Sequence, residues 1–449
     1  MYYNACKGDS PRSALGIATS DEVDGPYENQ GILLKSGMWD QESENPGEIY
    51  DATVHPNAVD PDAFYDAEGN MWMVYGSYSG GIFILELDPE TGVPLPGQGY
   101  GKHLVGGNHS RIEAPTIRYD EETGYYYLFL SFGGLDASGG YDVRVARSTS
   151  PDGPYLDAEG NDMSTVKGAE GTIFDDATIQ EYGVKVMGGY EFPRLLGDPG
   201  EGTGTGYVSA GHTSWYDDPD SGQSFMVFHT RFPGTGEMHE VRVHRMEMNA
   251  DGWPVVMPTR YGGEGNLRAK LTEMIGDWQL VDLGHDITAE PALPSDVRFT
   301  ALGRITGDLT GTWRLRGTDK VEPAHRRSDL LGNHLARLGR DHQRMGAVAV
   351  RGVRRRCHHV GSRRRRPRTQ EGRRRGRRRT HARQHLGGRG RPQPARRGNF
   401  GNGHRLGVER RVSGLVRGRR HAPGGRRAGR HRDTHGDGGQ RQAQRDRLV

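Results

Sequence analysis

The sequence predicts an all-β protein whose strands are grouped as the blades of a β-propeller. Short runs rich in aromatic and β-branched residues alternate with Asp/Gly/Asn/Pro turns, the signature of hairpins. Three of these hairpins follow one pattern, each opened by a different polar side chain, and no apolar run at helical spacing occurs before Glu322. Repeats of a blade-like size, roughly fifty residues, favour a propeller over a sandwich.

Residues 2 to 34 read as a strand (Leu15-Gly16-Ile17-Ala18-Thr19-Ser20), a turn (Asp24-Gly25-Pro26-Tyr27) and a short strand (Gly31-Ile32-Leu33-Leu34). The same order recurs at Tyr141-Asp142-Val143-Arg144-Val145 and Asp152-Gly153-Pro154-Tyr155, an internal repeat. The first of the three hairpins runs from Asn57-Ala58-Val59-Asp60-Pro61 through the turn Asp66-Ala67-Glu68-Gly69-Asn70 into Met71-Trp72-Met73-Val74-Tyr75. The second runs from Ile112-Glu113-Ala114-Pro115 through Asp120 to Gly124 into Tyr125-Tyr126-Tyr127-Leu128-Phe129. The third runs from Gly211-His212-Thr213-Ser214 through Asp217 to Gly222 into Phe225-Met226-Val227-Phe228-His229. The innermost strand of a propeller blade starts near the central axis, so Asp60, Glu113 and His212 are expected to meet there. Trp72 and Trp215 lie inside alternating strands and are expected to pack between blades. His229, His239 and His244 read as strand-surface residues.

The formal charge of +2 conceals two segments of opposite character. Of the 60 basic and 58 acidic residues, 38 Arg and 7 acidic residues lie after Glu322, so residues 323–449 carry +31 and residues 1–322 carry −29. That tail has one aromatic residue, Phe400, and no Lys, Ile, Tyr or Trp. It offers too little apolar surface to offset the entropy of ordering it, so disorder is expected over 323–449. Arginine runs such as 373–379 would suit a nucleic acid, but a binding tail calls for Lys beside Arg and for aromatic platforms, so none is expected. The composition looks like a GC-rich gene read in a shifted frame. The two cysteines, Cys6 and Cys357, stand in segments of different character and define neither a disulfide framework nor a metal site. No apolar run is long enough to span a bilayer, and no signal-peptide pattern opens the chain.

After Gly262-Gly263 the pattern changes. Three segments are therefore expected: a propeller over 1–264, a partial β-module over 265–322 around Trp278-Gln279-Leu280-Val281 and Val297-Arg298-Phe299, and the basic tail over 323–449.

These hairpins closely resemble the family 43 glycoside hydrolases, and within them the larger endo-α-1,5-L-arabinanases. The resemblance rests on Asn57-Ala58-Val59-Asp60-Pro61, Tyr75-Gly76-Ser77-Tyr78-Ser79-Gly80-Gly81, Ile112-Glu113-Ala114-Pro115, Ser131-Phe132-Gly133-Gly134, Gly211-His212-Thr213-Ser214 and Phe228-His229-Thr230-Arg231-Phe232. It covers residue 2 to about residue 322. It implies a five-bladed propeller, a first blade incomplete in this chain, a C-terminal β-module, and hydrolysis with inversion by three carboxylates. Glu113 matches the general acid, and Asp60 the residue that tunes the acid's pKa and holds it in position. His212 matches a histidine facing a channel calcium ion, largely through water. Asn57, Ser77, Tyr78 and Ser79 match positions lining the sugar cleft. The general base has no counterpart, because Asp9, Asp40 and Asp51 lack the family context, and the expected reading is a chain missing its first strands and a signal peptide.

The chemistry agrees with that set. Inversion needs a protonated acid at the leaving oxygen and a base activating water on the opposite face, roughly 6.5 to 9.5 Å away. A neighbouring negative charge helps an acid keep its proton near neutral pH. The implied protein is a secreted or periplasmic monomer acting on arabinan or arabino-oligosaccharides, impaired here by the missing base. Two alternatives remain: a family 43 enzyme acting on arabinoxylan or xylo-oligosaccharides, and a non-catalytic carbohydrate-binding propeller.

Overall fold

Each hairpin closes because an acidic side chain satisfies the amides of its own turn. Asp66 accepts hydrogen bonds from the amides of Glu68 at 3.0 Å and Asn70 at 2.7 Å, and its other oxygen takes the Trp72 indole N–H at 2.9 Å. Asp157, which opens the identical string Asp-Ala-Glu-Gly-Asn, holds Glu159 and Asn161 in the same way. The glycine of each string lies at positive φ, where a side chain would be strained. The internal repeat is also structural: Tyr27 and Tyr155 each donate a hydroxyl hydrogen bond to the carbonyl four residues earlier, both at 2.7 Å.

The computed structural model describes residues 1–7, 12–194, 204–263, 265, 271–316, 320–326 and 348–352, all within one compact unit spanning Met1–Cys357. Four antiparallel sheets of the blade type follow one another. The first has the order β1 (Tyr2–Cys6), β2 (Ser13–Thr19), β3 (Glu28–Ser36). The second has β4 (Asp62–Tyr65), β5 (Met71–Tyr75), β6 (Ile82–Leu87) and β7 (Lys102–Val105) in sequence order. The third comprises β8 (Ile112–Asp120), β9 (Tyr125–Phe132), β10 (Asp142–Ser148) and β11 (Val184–Met187). The fourth comprises β12 (Tyr190–Pro193), β13 (Gly204–Asp218), β14 (Gln223–Arg231), β15 (His239–Met248) and β16 (Pro254–Val256).

The core lies between successive sheets. Side chains alternate across a strand, so a central strand buried on both faces divides its residues between two cores. In β5, Met71, Met73 and Tyr75 pack toward the first sheet with Leu15 and Leu34, whereas Val74 packs toward the third with Leu128 and Leu130. In β9, Leu128 and Leu130 face that core, while Tyr127 and Phe129 face the next one with Phe228 and Trp215. Trp215 is buried against both of those rings, as its place in an alternating strand predicts.

Beyond the fourth sheet lies a six-stranded sheet. It comprises β17 (Gly276–Asp282), β18 (Ser295–Phe299), β19 (Arg304–Gly307), β20 (Thr310–Arg316), β21 (Lys320–Arg326) and β22 (Val348–Gly352), with β22 beside β17. Its own core is Leu280, Val297, Phe299, Ile305 and Trp313. The alternation in β17 sends Val281 the other way, into the core between the third and fourth blades, where Leu283 follows it. The module therefore shares apolar contacts with the propeller. Two expectations change. β21 continues through residue 322 to Arg326, and residues 348–352 form a strand, so disorder does not hold for those stretches. The rest of 323–449 lies outside the described residues.

Candidate active site

The second, third and fourth sheets present their inner strands side by side. Asp62 at the head of β4 accepts a hydrogen bond from the amide of Ile117 in β8 at 3.1 Å. Thr116 in β8 donates its hydroxyl to the carbonyl of Thr213 in β13 at 2.9 Å. The amide of His212 donates to the Ser131 hydroxyl at 2.9 Å. These cross-strand bonds gather the three polar stretches that the sequence singled out.

Glu113 is held by both oxygens. Its Oε2 accepts the Ser77 hydroxyl at 2.7 Å, and its Oε1 accepts the Tyr141 hydroxyl at 2.7 Å. Burial, followed by the Glu113 charge, keeps the Tyr141 phenol well above its ordinary pKa, so it stays a donor. Asp60 lies next door: its Oδ2 accepts from the amide of Ala114 at 3.2 Å. Burial pushes the Asp60 carboxyl up to about 6, with His212 opposing and the Glu113 charge adding to the rise. Asp62 is likewise pushed up to about 6, chiefly by burial, against the Ile117 amide.

The backbone here is strained. Asp60, Tyr78, Ser79, Ala114 and His212 all have positive φ, between 40° and 54°. Such non-glycine conformations cost about 1–3 kcal/mol each and cluster at functional sites.

Of the residues expected to line the sugar cleft, Asn57 and Tyr78 keep partial exposure, whereas Ser77 and Ser79 are buried. Ser77 spends its hydroxyl on Glu113, and the Ser79 carbonyl accepts the His109 amide at 2.9 Å. Those two serines brace the site from behind. Tyr78 reaches the carbonyl of Gly133 at 3.4 Å and meets the Phe174 ring edge-on at 5.5 Å. Asn57 accepts the Ser36 hydroxyl at 3.3 Å.

Sequence reasoning missed three residues. Tyr141 was read only as a strand residue, Asp62 was passed over beside Asp60, and His229 was read as strand surface. The His229 ring stacks on Tyr141 at 5.8 Å with 14° between planes, and burial drives its pKa down to about 4. His244, also read as surface, is fully buried, with Nδ1 2.6 Å from the Met257 carbonyl. No local signal marks them: His244 stands between Arg242 and Arg245 in β15, whose residues are mostly exposed or half-buried, and only packing against the next elements buries it.

His212 is exposed. Among the described residues no group of three His, Cys, Asp or Glu side chains forms a direct metal cage. A hard cation prefers several oxygen ligands, and the imidazole of His212 offers none.

Residues 1–178 match the family described as glycosyl hydrolases family 43, and residues 258–327 match a C-terminal lipocalin-like domain. The chain is 56% identical over 322 residues to extracellular endo-alpha-(1->5)-L-arabinanase 2 of Bacillus subtilis, covering 72% of this chain and 67% of that protein. The chain belongs to glycosyl hydrolase family 43. It is 49% identical to the extracellular endo-alpha-(1->5)-L-arabinanase of Thermotoga petrophila, covering 70% of this chain and 65% of that one, and so spans about two thirds of the length of these relatives. A crystal structure of a family 43 glycoside hydrolase from Bacillus licheniformis superposes with a TM-score of 0.67 at 56% identity, covering 72% of this chain and 71% of that one. The endo-1,5-alpha-L-arabinanase from Thermotoga petrophila superposes at 0.66 with 49% identity, covering 70% and 69%. This family 43 chain is a glycosidase by descent, with an all-β propeller fold and a C-terminal lipocalin-like module.

Proposed function

We propose that this family 43 chain binds α-1,5-linked L-arabinan across the axial end of its blades, with Glu113 as the general acid. The observation that carries the reading is the clamp of Ser77 and Tyr141 on Glu113 with the Asp60 carboxylate alongside. In cleavage the bond from the anomeric carbon to the leaving oxygen breaks, and the Glu113 proton passes to that oxygen. Water adds to the anomeric carbon from the opposite face and gives its own proton to a base. The Ser77 and Tyr141 hydroxyls fix the carboxyl so that its proton is aimed before the bond weakens. Asp60 tunes and positions it through shared charge.

No residue of this chain is assigned as the water-activating base. Asp51 is exposed, and one of its oxygens is taken by Thr53; Asp40 is exposed as well. Turnover by this chain is accordingly proposed to be slow. The relatives carrying the word extracellular in their names support a secreted protein, and a water-held calcium ion before His212 belongs to the same reading.

The test is sugar release from linear arabinan and from arabinoxylan by the full chain and by Glu113→Gln. Linear arabinan is expected to be preferred, and Glu113→Gln to lower release by about 10²–10⁴-fold, the range of a lost general acid, while arabino-oligosaccharide binding persists. Undiminished release by the variant ends the assignment of Glu113. Tight binding with no release by the parent chain would favour a carbohydrate-binding propeller instead.

A further inference from the structure

One fully buried hydroxyl stands behind the clamp on Glu113. Ser131, the first residue of the stretch Ser131-Phe132-Gly133-Gly134 at the end of β9, pairs across the sheet with Glu113 on one side and Val143 on the other. Its Oγ accepts the His212 amide from β13 at 2.9 Å. His212 lies where the pairing of β13 with β14 shifts register, between Gly211 and Ser214. The same Ser131 hydroxyl hydrogen-bonds the Tyr141 phenol.

The donors and acceptors of this chain can run only one way. A phenol and an aliphatic hydroxyl each carry a single proton. Tyr141 spends its proton on Glu113 Oε1 at 2.7 Å, so toward Ser131 it can only accept. Ser131 therefore donates to Tyr141 while it accepts from the His212 amide. The Tyr141 ring has no room to respond by moving. It is buried and stacked on His229 at 5.8 Å, and a Cβ at Gly211 would overlap it and come within 2.9 Å of Ser131 Oγ. With the ring locked, the direction of the phenol proton is the one freedom left, and the Ser131 proton takes the competing place on the oxygen. Hydrogen bonds linked in this way polarise one another.

We propose that Ser131 is a positioning residue for the general acid, turning the Tyr141 proton onto Glu113, and that Gly211 leaves the space in which it does so. The inference rests on the assignment of Glu113 as the acid above. Ser131 touches neither the sugar nor the reacting atoms; it acts through Tyr141. Without its hydroxyl, Tyr141 is free to turn its proton away, and the Glu113 carboxyl is no longer held by both oxygens when the leaving oxygen takes the proton.

The experiment measures sugar release from linear arabinan by the full chain, Ser131→Ala, Tyr141→Phe and the double variant, over a range of substrate concentrations. Ser131→Ala is expected to lower kcat by about tenfold, the scale of one net hydrogen bond, with KM unchanged. Because Ser131 acts through Tyr141, the double variant is expected to be no slower than Tyr141→Phe alone. Losses that multiply in the double variant overturn the proposal, as does a Ser131→Ala kcat equal to that of the parent, and both leave the arabinan reading intact. A dinitrophenyl arabinofuranoside, whose leaving group departs without a proton, guards against a folding defect. The loss in Ser131→Ala is expected to shrink to less than about twofold on it, because the acid is not called on. An equal loss on both substrates overturns the proposal, since a damaged fold slows both. Failure of the parent to release sugar from arabinan overturns the assignment of Glu113, and this inference with it.

Discussion

At the scale of single residues, Asp60 and Asp62 both contribute to the pH dependence of stability. An aspartate whose folded pKa is raised from 3.8 to about 6 takes up a proton on folding between those two values. Stability from this group is therefore present at low pH and is lost as pH rises through the window from about 4 to about 6. Asp62, shifted in the same direction to about 6, adds to the slope. Asp60→Asn is expected to remove its share, gaining on the order of 1–3 kcal/mol at pH 7 relative to pH 4. Denaturant midpoints at the two pH values check this, and a parallel pH dependence in variant and parent would refute it. The same substitution should lower any sugar release, since the charge beside Glu113 is gone. His212 is the other residue with a separable readout. With calcium at about one hundred times its Kd, a bound ion would add about 2.7 kcal/mol, seen as a Tm above that in chelator. His212→Ala is expected to abolish the difference, and an unchanged calcium response would remove His212 from any ion site.

At the scale of the element, the third blade is tied to the β17–β18 connection of the C-terminal module by a buried ionic network. Arg144 is fully buried and pairs with Asp142 at 2.8 Å, while Lys185 reaches the same aspartate at 3.2 Å. Arg144 also donates to the His285 carbonyl at 2.6 Å and to the Tyr182 and Gln180 carbonyls, and Lys185 donates to the Asp286 carbonyl at 2.8 Å. Two β10–β11 side chains thus satisfy the backbone of residues 285–286, and Ala292 then pairs with Gly189 and Glu191. The strap runs against the glycines that follow β9: a Cβ at Gly133 would meet the Ile287 side chain at 2.9 Å, and Gly133 is the residue whose carbonyl faces Tyr78. Truncating Arg144 to Ala leaves a buried carboxylate half-compensated and several carbonyls bare. A loss of about 3–5 kcal/mol in unfolding free energy is expected, with faster amide exchange at residues 284–292. A loss under 1 kcal/mol would mean that water replaces the guanidinium.

For the whole molecule the dominant fact is the division of charge, −29 over residues 1–322 and +31 over residues 323–449. Opposite fields of that size attract between copies when the Debye length is long, about 30 Å at 0.01 M salt, and are screened when it falls to about 3 Å at 1 M. Light scattering is expected to show association at low ionic strength that reverses in high salt. Scattering that does not change with salt would show that the two charged halves do not meet. Much of the propeller was legible beforehand, because strand periodicity and Asp-rich turns are local properties: Asp66 and Asp120 close their turns within a few residues of themselves. That Asp60 and Glu113 sit where β4 and β8 begin was also legible, whereas His212 lies within the long strand β13 (Gly204–Asp218), past a break in its pairing with β14, and does not open it. The clamp on Glu113 was not legible, because Ser77 and Tyr141 come from 36 and 28 residues away along the chain. Nor was the burial of His229 and His244, nor the rise of the Asp60 pKa. By itself the sequence determined the strands, their turns, the family and the polar residues at the strand openings, all of which depend on near neighbours. Tertiary structure alone decided which side chains share a carboxylate and which are shut away from water, because desolvation and proximity exist only once the blades have packed.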